Sequence, residues 1–384
     1  MSKRLLIISA VLISAVLALA GTVHAAGLPV IKVGHVGHDH QIALYVAADE
    51  GQALEKHYGV YLKKQKDMEV YDLYDGGKPV AQMQLVLVGG GAKMPAALEQ
   101  GHIEVGLGGL GPTAKFVDKG TKLKVLAPLN NDGDMLVVGN HIKANSWDEF
   151  VSEIKASGKP LRVGYKSPMA VAYMIFVSAL KEEGISYGID YVGPDGKPVK
   201  VITVNLQDAG NALPSLVSGV IDAVVINEPT ASILAYKGEG RIISDLSSLP
   251  PKGKWEGHPC CVVAATSKAL KEKRAIIVSL LKVIAAGADI IALDSKKALD
   301  AEVRWTRTNP EVGRSSIKNV DYVIAPDKEW LDGVNTWLSL MDEYGHFNKD
   351  LKGKDVKGAE QSILDLGPAQ EAMKGLKLRS RQGK

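Results

Sequence analysis

Along the chain, short apolar and β-branched runs alternate with stretches whose apolar positions recur at helical spacing, which predicts layered α/β structure with largely parallel strands. Val30 to Gly34 reads as the first strand and Ile42 to Glu55 as the helix after it. Val70 to Tyr74 and Met83 to Val88 read as strands around an Asp75-Gly76-Gly77 turn. The second runs into Gly89-Gly90-Gly91 and a helix that Gly101 stops. Ile103 to Leu107 then reads as a buried strand leading through Gly108-Gly109 to a helix that opens at Thr113. Beyond residue 130 the pattern restarts. Leu161 to Tyr165 predicts a strand, with Ser167 and Pro168 as cap and first residue of a helix to Glu183. Val201 to Asn205 and Ile221 to Ile226 predict strands flanking a helix over Asn211 to Gly219. From Ala269 onward helical spacing dominates, and the basic, glycine-spotted tail from Lys352 to Lys384 is expected to end in disorder.

Two stretches share one plan, a helix closed by glycine and then an apolar strand with a single acid: Ala97 to Val105, and Leu216 to Ala223. One such unit in each half of a 384-residue chain predicts two lobes built alike. The first residues differ from everything after them. Lys3 and Arg4 precede an uncharged, mostly apolar run from Leu5 to Gly21 and then Val23-His24-Ala25-Ala26, the pattern of a secretory leader over residues 1–25 cleaved after Ala25. Cleavage would leave the mature protein in the periplasm, an uncleaved membrane anchor being the alternative reading of the same run, and no second apolar run of membrane-spanning length is expected.

Without Lys3 and Arg4, 44 of the 46 basic side chains face 43 acidic ones, a balance that excludes an electrostatic reason for nucleic acid as a partner. Recognition must therefore be local. Gly34-His35-Val36-Gly37-His38-Asp39-His40-Gln41 places three of nine histidines between a strand and a helix, where imidazoles can face a cleft, bond a ligand or hold a metal. In an extended chain His258 and Cys260 share a face, and Cys261 falls on the other beside the core residue Val263. Neighbouring cysteines form no ordinary disulfide, so a composite His/Cys site for a soft or borderline metal is a second reading of His38, His40, His258 and Cys260. Gly89 to Gly91 lacks the Gly-Lys-Ser/Thr of a nucleotide loop. No serine sits in a Gly-x-Ser-x-Gly elbow, which counts against hydrolase chemistry.

Ala43-Leu44-Tyr45-Val46-Ala47, the run Ala97 to Gly106, Ser218 to Ala223, and Glu228-Pro229 together carry a resemblance, in order and spacing, to the periplasmic substrate-binding proteins for nitrate, sulfonates, taurine and thiamine precursors. That superfamily also includes pyrimidine synthase. The resemblance implies a two-lobe binding-protein fold, each lobe a mostly parallel sheet flanked by helices, joined by a two-segment hinge. Lobe one would comprise residues 26–131 and the return 231–384, and lobe two residues 132–230. It implies a monomer that closes on a small molecule, needs no catalytic group, and meets the membrane subunits of an ABC importer. Two stretches depart from it, a polar insertion from Lys63 to Val80 and the histidine-rich loop.

Ligands in open α/β sheets sit beyond the carboxyl ends of strands, beside helix N-termini. The expected ligand residues are thus His35, His38, His40, Gln41, Gly109, Thr113, Ser167, Met169, Asn227, Glu228, His258 and Cys260. Tyr45, Tyr165 and Tyr173 are further candidates for stacking on a heterocycle. Two other classes stay open: a metal chaperone or sensor using the His/Cys residues, and a pyrimidine-synthase-like enzyme, whose cysteine-richer iron motif Cys260-Cys261 does not match.

Overall fold

The structure, a computed structural model, describes residues 27–193, 196–323 and 325–380; the expected leader and the last four residues lie outside them. Fourteen strands form two sheets. Six open the chain: β1 (Val30–His35), β2 (Val60–Lys66), β3 (Val70–Asp75), β4 (Lys78–Leu87), β5 (Val105–Gly109) and β6 (Leu123–Asp132). The next six are β7 (Asp134–Gly139), β8 (Leu161–Tyr165), β9 (Tyr187–Gly188), β10 (Val201–Asn205), β11 (Ala223–Asn227) and β12 (Gly240–Asp245). The chain then returns with β13 (Pro259–Thr266) and β14 (Val320–Asp321). The first sheet runs β14-β6-β13-β5-β1-β4-β3-β2, and the second β12-β7-β11-β8-β10-β9.

The expectation of mostly parallel sheets holds for the second sheet, where β8 pairs parallel with both β10 and β11. The first is mixed. Among the described strands only β1 makes parallel ladders, with β4 and β5, because the polar insertion folds as the antiparallel meander β2-β3-β4 and β13 returns antiparallel between β5 and β6. The return also comes later than residue 231. Gly240–Asp245 pairs with β7 in the second sheet, so the chain re-enters the first sheet only at Pro259. The outward crossing is a single step at Gly133, between Asp132 of β6 and Asp134 of β7.

Helices cover both sheets. The helix Ser267–Leu293 is long and apolar enough to cross a membrane, unlike the expectation of no second such run, but 72% of its apolar window is buried inside the protein. It is a core helix, packed on Ile42–Glu50 over the first sheet. Asp289 within it is a buried carboxylate that accepts from the Tyr58 hydroxyl at 2.7 Å and from the backbone N–H of Arg379 and Ser380 at 2.8 and 3.0 Å. The tail reaching that carboxylate includes two short helices, Val356–Ile363 and Gly367–Lys374.

Candidate functional site

The carboxyl ends of β1, β5, β8 and β11 meet at the cleft between the sheets. The enclosed space there, about 50 Å³ open to a water-sized sphere, is lined from the first sheet by His38, His40, Gly91, Gly109, Cys260 and Cys261. From the second come Asp134, Lys166, Ser167, Met169 and Asn227. A single water needs about 10–15 Å³ by this measure, so the room suits a few waters, an ion or a small polyatomic group.

The loop after β1 places its histidines differently. His38 is the N-cap of the short 3-10 turn Asp39–Gln41, its Nδ1 accepting from the His40 N–H at 3.2 Å. His40 is carried inward, 1% exposed, with Nδ1 facing two sulfurs: Cys260 Sγ at 3.4 Å and Cys261 Sγ at 3.7 Å, themselves 4.0 Å apart. Cys261 is buried in the core as expected, but its sulfur lies on the same side as that of Cys260 instead of the opposite one. The reason is a β-bulge: Pro259 pairs with Asn131 and Cys261 with Asn130, leaving Cys260 as an extra residue against β6, and the strict alternation of faces fails there. The Asn130 side chain stands in at the interrupted ladder, its Oδ1 accepting from the Cys261 N–H at 3.2 Å.

Charge follows from this geometry. Burial opposes an imidazolium at His40, but the hydrogen bond to Cys261 and the charge of Asp39 outweigh it and hold the ring above its usual range. The Cys260 thiol, working against burial and helped by His40, holds Cys261 below the usual thiol range. The bond with Cys261, together with burial, pushes Cys260 up. Asp39 lies wholly buried beneath the ring, its Oδ1 3.9 Å from His40 Nε2, and burial raises its carboxyl.

His258, expected in this group, is held elsewhere. Its Nδ1 meets the Trp255 carbonyl at 2.8 Å and Asp132 Oδ1 at 2.9 Å, and its Nε2 meets Asp134 Oδ2 at 3.4 Å. Burial opposes its charge, yet the two aspartates lift it to about 10. Four other expected ligand residues serve the scaffold. His35 Nδ1 meets the Tyr45 hydroxyl at 2.9 Å, and Gln41 Nε2 donates to the Leu107 carbonyl at 2.7 Å. Thr113 donates to the Gly109 carbonyl at 2.9 Å. Glu228, fully buried, accepts from Ser232 and, at 2.7 Å, from Asn319. Tyr45 stacks on Trp305 and Tyr165 on Tyr173, so these rings pack on protein.

On the second lobe the helix Val171–Glu182 starts four residues later than Ser167, with Ala170 as its N-cap. Ser167 and Pro168 form instead a turn in which the Ser167 carbonyl accepts from the Ala170 N–H at 3.0 Å. That leaves Ser167 Oγ buried at the cavity with no hydrogen-bond partner among the described residues. Lys166, absent from the sequence-based ligand set, donates to Asn227 Oδ1, which aims both at the cavity. Across the gap, a Cβ at Gly111 would stand 2.9 Å from the Met169 carbonyl oxygen, so the lobes touch where only glycine fits.

The sequence model of the NMT1-like family matches residues 26–304. The chain belongs to this family. The uncharacterized protein MJ1180 of Methanocaldococcus jannaschii is 36% identical over 133 residues, 34% of this chain and 92% of that protein. Solved structures share the fold of this NMT1-like chain at low identity. A ligand-binding component of an ABC-type import system from Staphylococcus aureus with zinc bound is 16% identical, covers 90% of this chain and 99% of its own, and has a TM-score of 0.69. The nitrate-binding protein NrtA of Synechocystis PCC 6803 is 14% identical over 93% of this chain and 91% of its own, TM-score 0.69. The alkanesulfonate-binding protein SsuA of Xanthomonas axonopodis pv. citri, bound to MOPS, is 14% identical over 90% and 99%, TM-score 0.61.

Proposed function

We propose that this NMT1-like chain is the extracytoplasmic solute-binding component of an ABC importer, capturing a small ligand between its lobes and presenting the closed form to the membrane subunits. The observation that carries this reading is the cavity with walls from both sheets: His40 and the two thiols on one side, Lys166, Asn227 and the unpartnered Ser167 hydroxyl on the other. A ligand touching both walls stabilises closure, and differential affinity for the closed form is the whole mechanism. The leader pattern supports a periplasmic location, and the binding proteins that share this fold support a transport role.

The test is native mass spectrometry of the mature chain purified without refolding, followed by thermal unfolding and solution scattering with the retained species. At a hundredfold excess over Kd, binding stabilises by about 2.7 kcal/mol. A Tm rise of several degrees with a smaller radius of gyration is expected, and Ser167→Ala combined with Asn227→Ala abolishes both. A chain that retains nothing, and whose Tm and radius no small anion, metal ion or metal complex moves, overturns the proposal.

A further inference from the structure

We propose that His40, Cys260 and Cys261 are a three-donor site for one borderline or soft transition-metal ion, of the Zn(II) or Cu(I) class, on the first-lobe wall of the cavity. The claim that this ion is the cargo rests on the reading above; the claim that the ion binds does not.

Distances make the first argument. Around a tetrahedral zinc, bond lengths of about 2.3 Å to sulfur and 2.0–2.1 Å to nitrogen put two sulfurs about 3.8 Å apart and a sulfur and a nitrogen about 3.6 Å apart. The observed edges are 4.0 Å between the sulfurs and 3.4 and 3.7 Å from the sulfurs to Nδ1, so three corners of that tetrahedron already stand within a few tenths of an ångström.

Construction makes the second argument. Adjacent residues of a regular strand face opposite sides, and here a bulge brings both sulfurs to one side. Behind the ring, His40 Nε2 and both oxygens of Asp39 are buried with no hydrogen-bond partner among the described residues, with Oδ1 3.9 Å from Nε2. A carboxylate behind the far nitrogen of a ligating histidine fixes the tautomer and strengthens the donor, and a bound ion turns that orphaned pair into a used one. Binding sends two protons to solvent, one from the Cys260 thiol and one from the pair that His40 forms with Cys261, leaving two thiolates and a neutral imidazole on the cation. The remaining coordination position opens on the cavity, toward the wall that carries Lys166 and Asn227.

The test uses the reduced full-length mature chain, freed of metal, and Co(II) as an optical probe, with Zn(II) then added in competition with a chromogenic chelator. One equivalent of Co(II) with an intense thiolate-to-cobalt charge-transfer band, displaced by Zn(II), is expected; Cys261→Ser and His40→Ala should each weaken Zn(II) binding at least about a hundredfold, and Asp39→Asn about tenfold. Absence of the band in the folded wild-type chain overturns the site whether or not any variant folds, as does undiminished binding in a folded Cys261→Ser protein. Scattering on the same samples separates the two claims. Metal binding without closure keeps the site and removes its role as cargo, whereas closure on another solute with no charge-transfer band removes the site alone.

Discussion

Glu302 shows at the scale of one residue how burial sets charge. Its Oε1 accepts from the hydroxyls of Thr306 and Thr308 at 3.0 and 3.4 Å, its Oε2 has no partner among the described residues, and burial holds the carboxyl well above its ordinary range. The folded chain thus keeps a proton that the unfolded chain releases at ordinary carboxylate pKa. Stability is fully present below that pKa and falls as pH rises toward the raised value, by up to about 1.4 kcal/mol per pH unit. Glu302→Gln keeps the shape and removes the titration. Denaturant unfolding at pH 5 should find the two proteins alike, and at pH 8 the variant more stable; a gap that stays constant across that range would contradict the assignment.

Elements were read unevenly from the sequence, and the misses share a cause. Leu161–Tyr165 falls where it was expected, since a parallel strand buried on both faces announces itself as an apolar run. Gly240–Asp245 gives no such signal: it is a half-buried edge strand, and its antiparallel pairing with β7 is decided by a partner about a hundred residues away. Strict alternation puts the Cys260 and Cys261 sulfurs on opposite faces, whereas the bulge that brings them together depends on the register between β13 and β6. The loops that line the cleft were legible as strand ends; which side chains turn inward was not. His40, Ser167, Met169 and Asn227 line the cavity, while His35, Gln41, Thr113 and Glu228 bond the scaffold. The C-terminal segment adds a prediction. Asp289 ties Tyr58, the backbone at Arg379 and both the backbone and hydroxyl of Ser380 to the core helix, so Asp289→Ala leaves four donors without their acceptor. A loss of about 2 kcal/mol or more is expected in denaturant unfolding, with early proteolysis after the Gly367–Lys374 helix. An unchanged midpoint would mean that the tail contributes nothing to the fold.

At the scale of the molecule, the two lobes meet at several places. Ser232 bonds Ser315 at 3.0 Å, Asn309 bonds Tyr236 at 3.1 Å, and Lys181 pairs with Glu343 of the helix Lys328–Glu343 at 2.6 Å, an exposed bridge of small worth. Gly111, against the Met169 carbonyl, is the contact that leaves no room for a side chain. Gly111→Val should therefore hold the lobes apart, enlarging the radius of gyration in scattering and weakening ligand binding at least tenfold, with the melting temperature within a few degrees of wild type. A variant as compact as the parent would place the closing contact elsewhere.

The crossing at Gly133 ties these scales together. Its φ of +88° suits glycine, and a Cβ there would sit 2.8 Å from His40 Nε2. The peptide that crosses to the second lobe is thus also the roof over the far edge of the imidazole. Were the proposed closure to turn about this crossing, the same rotation would bare or cover the nitrogen beside Asp39, and the wetness of the ring would report the state of the jaws.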